Sequence, residues 1–127
     1  KTPINNSSDG SGTSETQNTP KETEKPTVST GFVSSGMRNA LQQAKNYLAV
    51  MPFSYSGLVE QLEFEGYSHS EAVYGAENCG ADWYEQAAKK AEQYLEIMSF
   101  SRSGLIDQLE FDGFTHEEAV YGVDKVY

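Results

Sequence analysis

The sequence predicts an all-α protein, a tandem repeat of two small three-helix, helix-turn-helix-like domains after a disordered spacer. Three observations carry this prediction. Phe53-Ser54-Tyr55-Ser56-Gly57-Leu58 with Gln61-Leu62-Glu63-Phe64-Glu65-Gly66 returns forty-seven residues later as Phe100-Ser101-Arg102-Ser103-Gly104-Leu105 with Gln108-Leu109-Glu110-Phe111-Asp112-Gly113. Such a fixed period dictates a repeat architecture. Within each copy the apolar residues recur at helical spacing. The first 30 residues, by contrast, hold only Ile4 and Val28 as apolar side chains. The division that follows is a spacer over 1–33, a first repeat over 34–80 and a second over 81–127.

The Ser/Thr-rich stretch before the repeats, with Pro3, Pro20 and Pro26, cannot bury enough surface to offset the entropy of ordering it. As a coil of 30 residues it averages roughly 30 Å end to end and extends to about 100 Å, enough to hold a folded part away from an attachment point. A chain that opens this way without an initiator Met or a signal-peptide pattern is expected to be a mature or trimmed product.

In the first repeat, Leu41, Ala44, Tyr47, Leu48 and Met51 mark the apolar stripe of a helix over about 37–50, which Pro52 ends. Ser54 is placed to cap a second helix through about 65, with Leu58, Val59 and Leu62 inward and Gly66 as a left-handed terminator. Ser68 and Glu71 have capping-box spacing and start a third helix that runs to about 78.

The second repeat gives the same signals. Asp82 and Glu85 are expected to cap its first helix, whose stripe is Ala88, Ala91, Tyr94, Leu95 and Met98. Ser101 caps the next, Gly113 ends it, and Thr115 to Glu118 is again a capping box. Exchanges between the copies are like for like: Val59 with Ile106, Glu60 with Asp107, Tyr67 with Phe114. A repeat of about 40 residues is marginal alone, so each is expected to draw support from its neighbour or from the junction around Trp83 and Tyr84. The linker Cys79-Gly80-Ala81-Asp82 is too short to be a free tether, and a fixed mutual orientation follows.

Of the formal charge of −10, little lies in the spacer: residues 1–35 set three Lys against four acids, a net of −1, which leaves −9 on residues 36–127. That balance argues against nucleic acid, although two short helices around a tight turn invite the thought. The third helices carry Glu71 and Glu77, then Glu117, Glu118 and Asp124 against Lys125 alone, and such a surface repels the phosphates a DNA reader must neutralise.

Enzymatic chemistry has little to stand on. His69 with Glu71 and His116 with Glu118 could be drawn as acid–base pairs, but each Glu is explained by its capping box. No Ser-His-Asp or Cys-His set, phosphate loop or metal-ligand spacing appears. The carboxylates Glu60, Glu63, Glu65, Asp107, Glu110 and Asp112 read as solvated helix faces, without the loop a calcium site needs. The lone Cys79 matches Val126 in the second copy and reads as a small apolar residue. No run approaches the roughly 18 apolar residues of a membrane span. Neither a catalytic residue nor a cofactor or metal is expected.

A binding role remains. Acidic lobes on a stalk suit capture of a basic partner, since charge complementarity speeds encounter and sets specificity, and two copies permit bivalent engagement. The expected contacts are the carboxylates Glu60, Glu63, Asp107, Glu110, Asp112, Glu117 and Glu118. Acidity that merely confers solubility is the plainer alternative.

The run from Tyr94-Leu95 through Met98-Ser99-Phe100-Ser101-Arg102-Ser103-Gly104-Leu105 and Gln108-Leu109-Glu110-Phe111-Asp112-Gly113-Phe114-Thr115 to Glu118-Ala119-Val120-Tyr121 resembles the repeat of the Ltp-type host-cell-surface-exposed lipoproteins of Gram-positive bacteria and their temperate phages. Asp82-Trp83 is similar to that family's inter-repeat sequence, and the likeness spans about 36–127. The resemblance implies a lipidated N-terminal cysteine, a polar spacer and tandem helix-turn-helix-like domains outside the membrane. It further implies superinfection exclusion, in which incoming phage DNA is kept from the cytoplasm by binding of the injected tape-measure protein. The lipobox cysteine is absent here, so the chain is expected to be a soluble segment starting just after the anchor, with membrane contact only through that anchor. Two other readings stay open: a bacterial cell-envelope interaction module without an antiphage role, and a DNA-binding tandem helix-turn-helix.

Overall fold

The computed structural model describes residues 32–127, so the expected spacer lies, apart from Phe32 and Val33, outside the described residues. Within them the chain forms six helices. The first repeat gives α1 (Ser35–Val50), α2 (Tyr55–Phe64) and α3 (His69–Asn78); the second gives α4 (Trp83–Ile97), α5 (Arg102–Phe111) and α6 (His116–Val126).

Each helix starts where a short polar side chain can take an orphan backbone N–H. Ser34 accepts from Met37, Ser54 from Gly57 and Ser101 from Gly104. Ser68 with Glu71 and Thr115 with Glu118 form complete capping boxes. Asp82 caps α4 alone, accepting from Tyr84 and Glu85 N–H. The Glu85 carboxylate, expected in that cap, instead accepts from Lys125 Nζ and Tyr121 OH, both at 2.8 Å. A cation and a phenol brought across from α6 satisfy it in place of the Asp82 backbone N–H that a capping box would use. Gly66 and Gly113, at φ 110° and 108°, end α2 and α5. There Leu62 and Leu109 carbonyls accept from Tyr67 and Phe114 N–H, a left-handed closure favoured at glycine.

Each lobe has its own core. Leu58, Val59 and Leu62 of α2 meet Ala44, Ala72 and Ala76 in the first. Leu105, Ile106 and Leu109 meet Ala87, Ala91, Phe114, Ala119 and Val123 in the second. The first helices do not bury the whole expected stripe. Ala40 and Ala44 are the buried residues of α1, whereas Met51 and Met98 are exposed. The cause is a close helix crossing. A Cβ on Gly75 would stand 2.8 Å from Ala40 O, and one on Gly122 2.6 Å from Ala87 C. Helices this near leave room for alanine at the contact and push larger side chains to its margin.

The lobes are joined by more than the linker. Phe53 N–H donates to the buried Gln86 side chain at 3.1 Å, Ser54 Oγ to Asp112 O at 2.9 Å, and Ser56 Oγ to Gly113 O at 3.0 Å. The start of α2 thus sits on the end of α5, an arrangement that also opposes the positive and negative ends of two helix dipoles. Trp83 packs against the first core, edge-on to Tyr55 at 5.6 Å, while its neighbour Tyr84 meets Tyr121 in the second lobe at 5.4 Å.

Candidate functional site

Because α2 and α5 turn Leu58, Val59, Leu62 and their counterparts inward, Glu60, Glu63, Asp107 and Glu110 face solvent. The seven carboxylates expected to contact a partner divide by environment. Glu60, Asp107 and Glu117 are exposed, and among the described residues their side chains have no hydrogen-bond or ion-pair partner. Glu63 meets His69, and Glu110 meets His116 at 2.5 Å. The histidines thus pair with the preceding helix and not with the capping glutamates. The hydrogen bond and charge of Glu110 raise the His116 pKa above its ordinary value.

Asp112 and Glu118 are turned to their own chain. Glu118 accepts from Thr115 N–H at 3.0 Å within its capping box. Asp112 is half-buried and accepts from Tyr94 OH at 2.5 Å and Gln108 Nε2 at 3.3 Å. Burial, then the Asp112 hydrogen bond and charge, push the Tyr94 phenol up to about 12. The folded state therefore favours the protonated phenol. Its stabilisation is present below pH 10 and is lost between about 10 and 12. Asp112→Asn is expected to bring the Tyr94 transition back toward 10, measured by ultraviolet titration of phenolate.

Two features went unread in the sequence. Phe64 and Phe111 are 85% and 86% exposed and follow Glu60 and Asp107 by four residues, which puts each pair on one helix face. Retention of the same large apolar residue in both copies, outside the inward stripe, was the available signal. The other is an open groove of about 430 Å³ between α2 and α3, lined by Tyr55, Ser56, Val59, Glu60, Glu63, His69 and Val73. In the second lobe the position of Tyr55 is Arg102, whose guanidinium binds Asp124 at 2.7 Å.

No group of three or more His, Cys, Asp or Glu side chains among the described residues is arranged to hold a metal ion. No described helix is long and apolar enough to cross a membrane. The exposed surface of both lobes is acidic and partly apolar.

Nothing among curated proteins matches the chain. The solved structure of Ltp, a superinfection exclusion protein from the Streptococcus thermophilus temperate phage TP-J34, is similar at 39% identity with a TM-score of 0.71. The likeness covers 76% of this chain and 100% of that one. The sequence profile described as host cell surface-exposed lipoprotein matches residues 37–78 and again 82–126, one match per repeat. With both repeats matched and the three-helix lobes shared, the chain belongs to the family of host cell surface-exposed lipoproteins.

Proposed function

We propose that this protein acts at the cell surface in superinfection exclusion, capturing a basic segment of the phage tape-measure protein so that phage DNA does not enter. A lipid anchor upstream of the Ser/Thr-rich stretch would hold the lobes outside the membrane. The observation that carries the reading is the set of carboxylates left unneutralised on both lobes, Glu60, Asp107 and Glu117 above all, within a segment of net charge −9. A basic polypeptide meets complementary charge there, whereas DNA and anionic headgroups are repelled. The likeness to a phage superinfection exclusion protein supports the same role.

The test spares the structural carboxylates Asp112 and Glu118. Glu60→Gln, Glu63→Gln, Asp107→Asn, Glu110→Gln and Glu117→Gln are combined in a surface-displayed protein, and phage DNA entry is scored. Encounter with the partner should slow by about tenfold or more, and exclusion should fall with it. Full exclusion by a variant with an unchanged circular-dichroism melt would overturn the reading. A gel shift with duplex DNA at low salt separates the nucleic-acid alternative, which requires binding there first.

A further inference from the structure

We propose that the groove between α2 and α3 of the first lobe receives an arginine side chain of the basic partner, and that the second lobe lacks this site. The inference deepens the reading above and rests on it. The groove offers what a guanidinium on an aliphatic stem needs: the apolar side chains of Val59 and Val73, the Tyr55 ring and the unpaired Glu60 carboxylate. Its lining includes no Lys or Arg, and its one basic residue, His69, already meets Glu63, so Glu60 is the carboxylate left for a cation.

The second lobe carries a cation of its own at one position of this lining. Arg102 stands where the first lobe has Tyr55, and its Nη2 and Nε lie 2.7 and 2.8 Å from Asp124 Oδ1. At Asp124's counterpart, Glu77, the first lobe supplies only the Tyr55 phenol, at 3.2 Å. Glu77 does not line the groove, so this pair shows only where the second lobe holds a guanidinium of its own. In the second lobe the chain provides one itself, and its charge repels another arriving from outside.

The experiment titrates the full chain with N-acetyl-arginine methylamide and follows backbone amides by NMR. The neutral citrulline analogue serves as control. Saturable shifts are expected at Ser56, Glu60, Glu63, His69 and Val73, and not at Ser103, Asp107, Glu110, His116 and Val120. Tyr55→Arg should weaken binding about threefold or more, as should Glu60→Gln. Arg102→Tyr should add a second site of similar affinity. Equal shifts in both lobes, equal binding of the citrulline analogue, or undiminished binding by both the Tyr55→Arg and Glu60→Gln variants would overturn the inference. The titration needs no phage, so its failure removes the groove and leaves the exclusion reading to its own assay. Loss of exclusion in the five-carboxylate variant with full exclusion by Tyr55→Arg would likewise overturn the groove alone.

Discussion

Leu109→Ala is expected to destabilise the second lobe by about 2–5 kcal/mol, the cost of lost burial plus an unfilled cavity. Leu109 is fully buried among Leu105, Ile106, Phe114, Ala119 and Val123, and a core this small has no reserve of neighbouring side chains with which to collapse. Against a total of about 5–15 kcal/mol for a natural domain, such a loss is large. It also reaches across the junction, because Ser54 and Ser56 donate to Asp112 O and Gly113 O at the end of the same helix. Urea unfolding should show a lowered midpoint, and amide exchange should quicken in α4–α6 first and then at the start of α2. A loss below about 1 kcal/mol would mean that the core tolerates the gap. Leu62→Ala is the matching experiment in the first lobe.

The second large effect has a sign that helix propensity would get wrong. Gly→Ala inside a helix ordinarily stabilises by about 1 kcal/mol. Gly122→Ala should do the reverse, because its Cβ would lie 2.6 Å from Ala87 C, 2.7 Å from Ala88 N and 2.8 Å from Ala87 Cβ. These are backbone and near-backbone atoms that no rotamer change can move aside. The α4–α6 crossing must widen, at an overpacking cost of about 1–3 kcal/mol. Gly75→Ala meets Ala40 O at 2.8 Å and should behave alike in the first lobe. A raised melting temperature for both variants would show that the helices can separate freely.

Much of this molecule is legible residue by residue. Ser54, Ser68, Ser101 and Thr115 stand at helix starts, and Gly66 and Gly113 at helix ends, because cap and terminator chemistry is local. Side chains that act across the fold are harder to read. Glu85 has the spacing of a cap partner, but Lys125, forty positions on, decides its role. His69 and His116 look tied to Glu71 and Glu118 until the turn of the chain brings Glu63 and Glu110 beside them. Among the expected binding carboxylates, Asp112 is drawn inward by Tyr94, a contact that position in the sequence does not show.

By itself the sequence determined the helices, their limits, the duplication and the net negative charge, since these depend on neighbours within a few positions or on composition. Only the tertiary structure decided which of two equivalent residues does which task. Ser54 is 3% exposed and bridges the lobes, whereas Ser101 is exposed and merely caps. Gly113 lies against Ser54 and Ser56, whereas Gly66 faces open space. The physical reason is that one copy's α2 docks on the other's α5 and not the reverse, so a symmetric sequence is placed in an asymmetric environment.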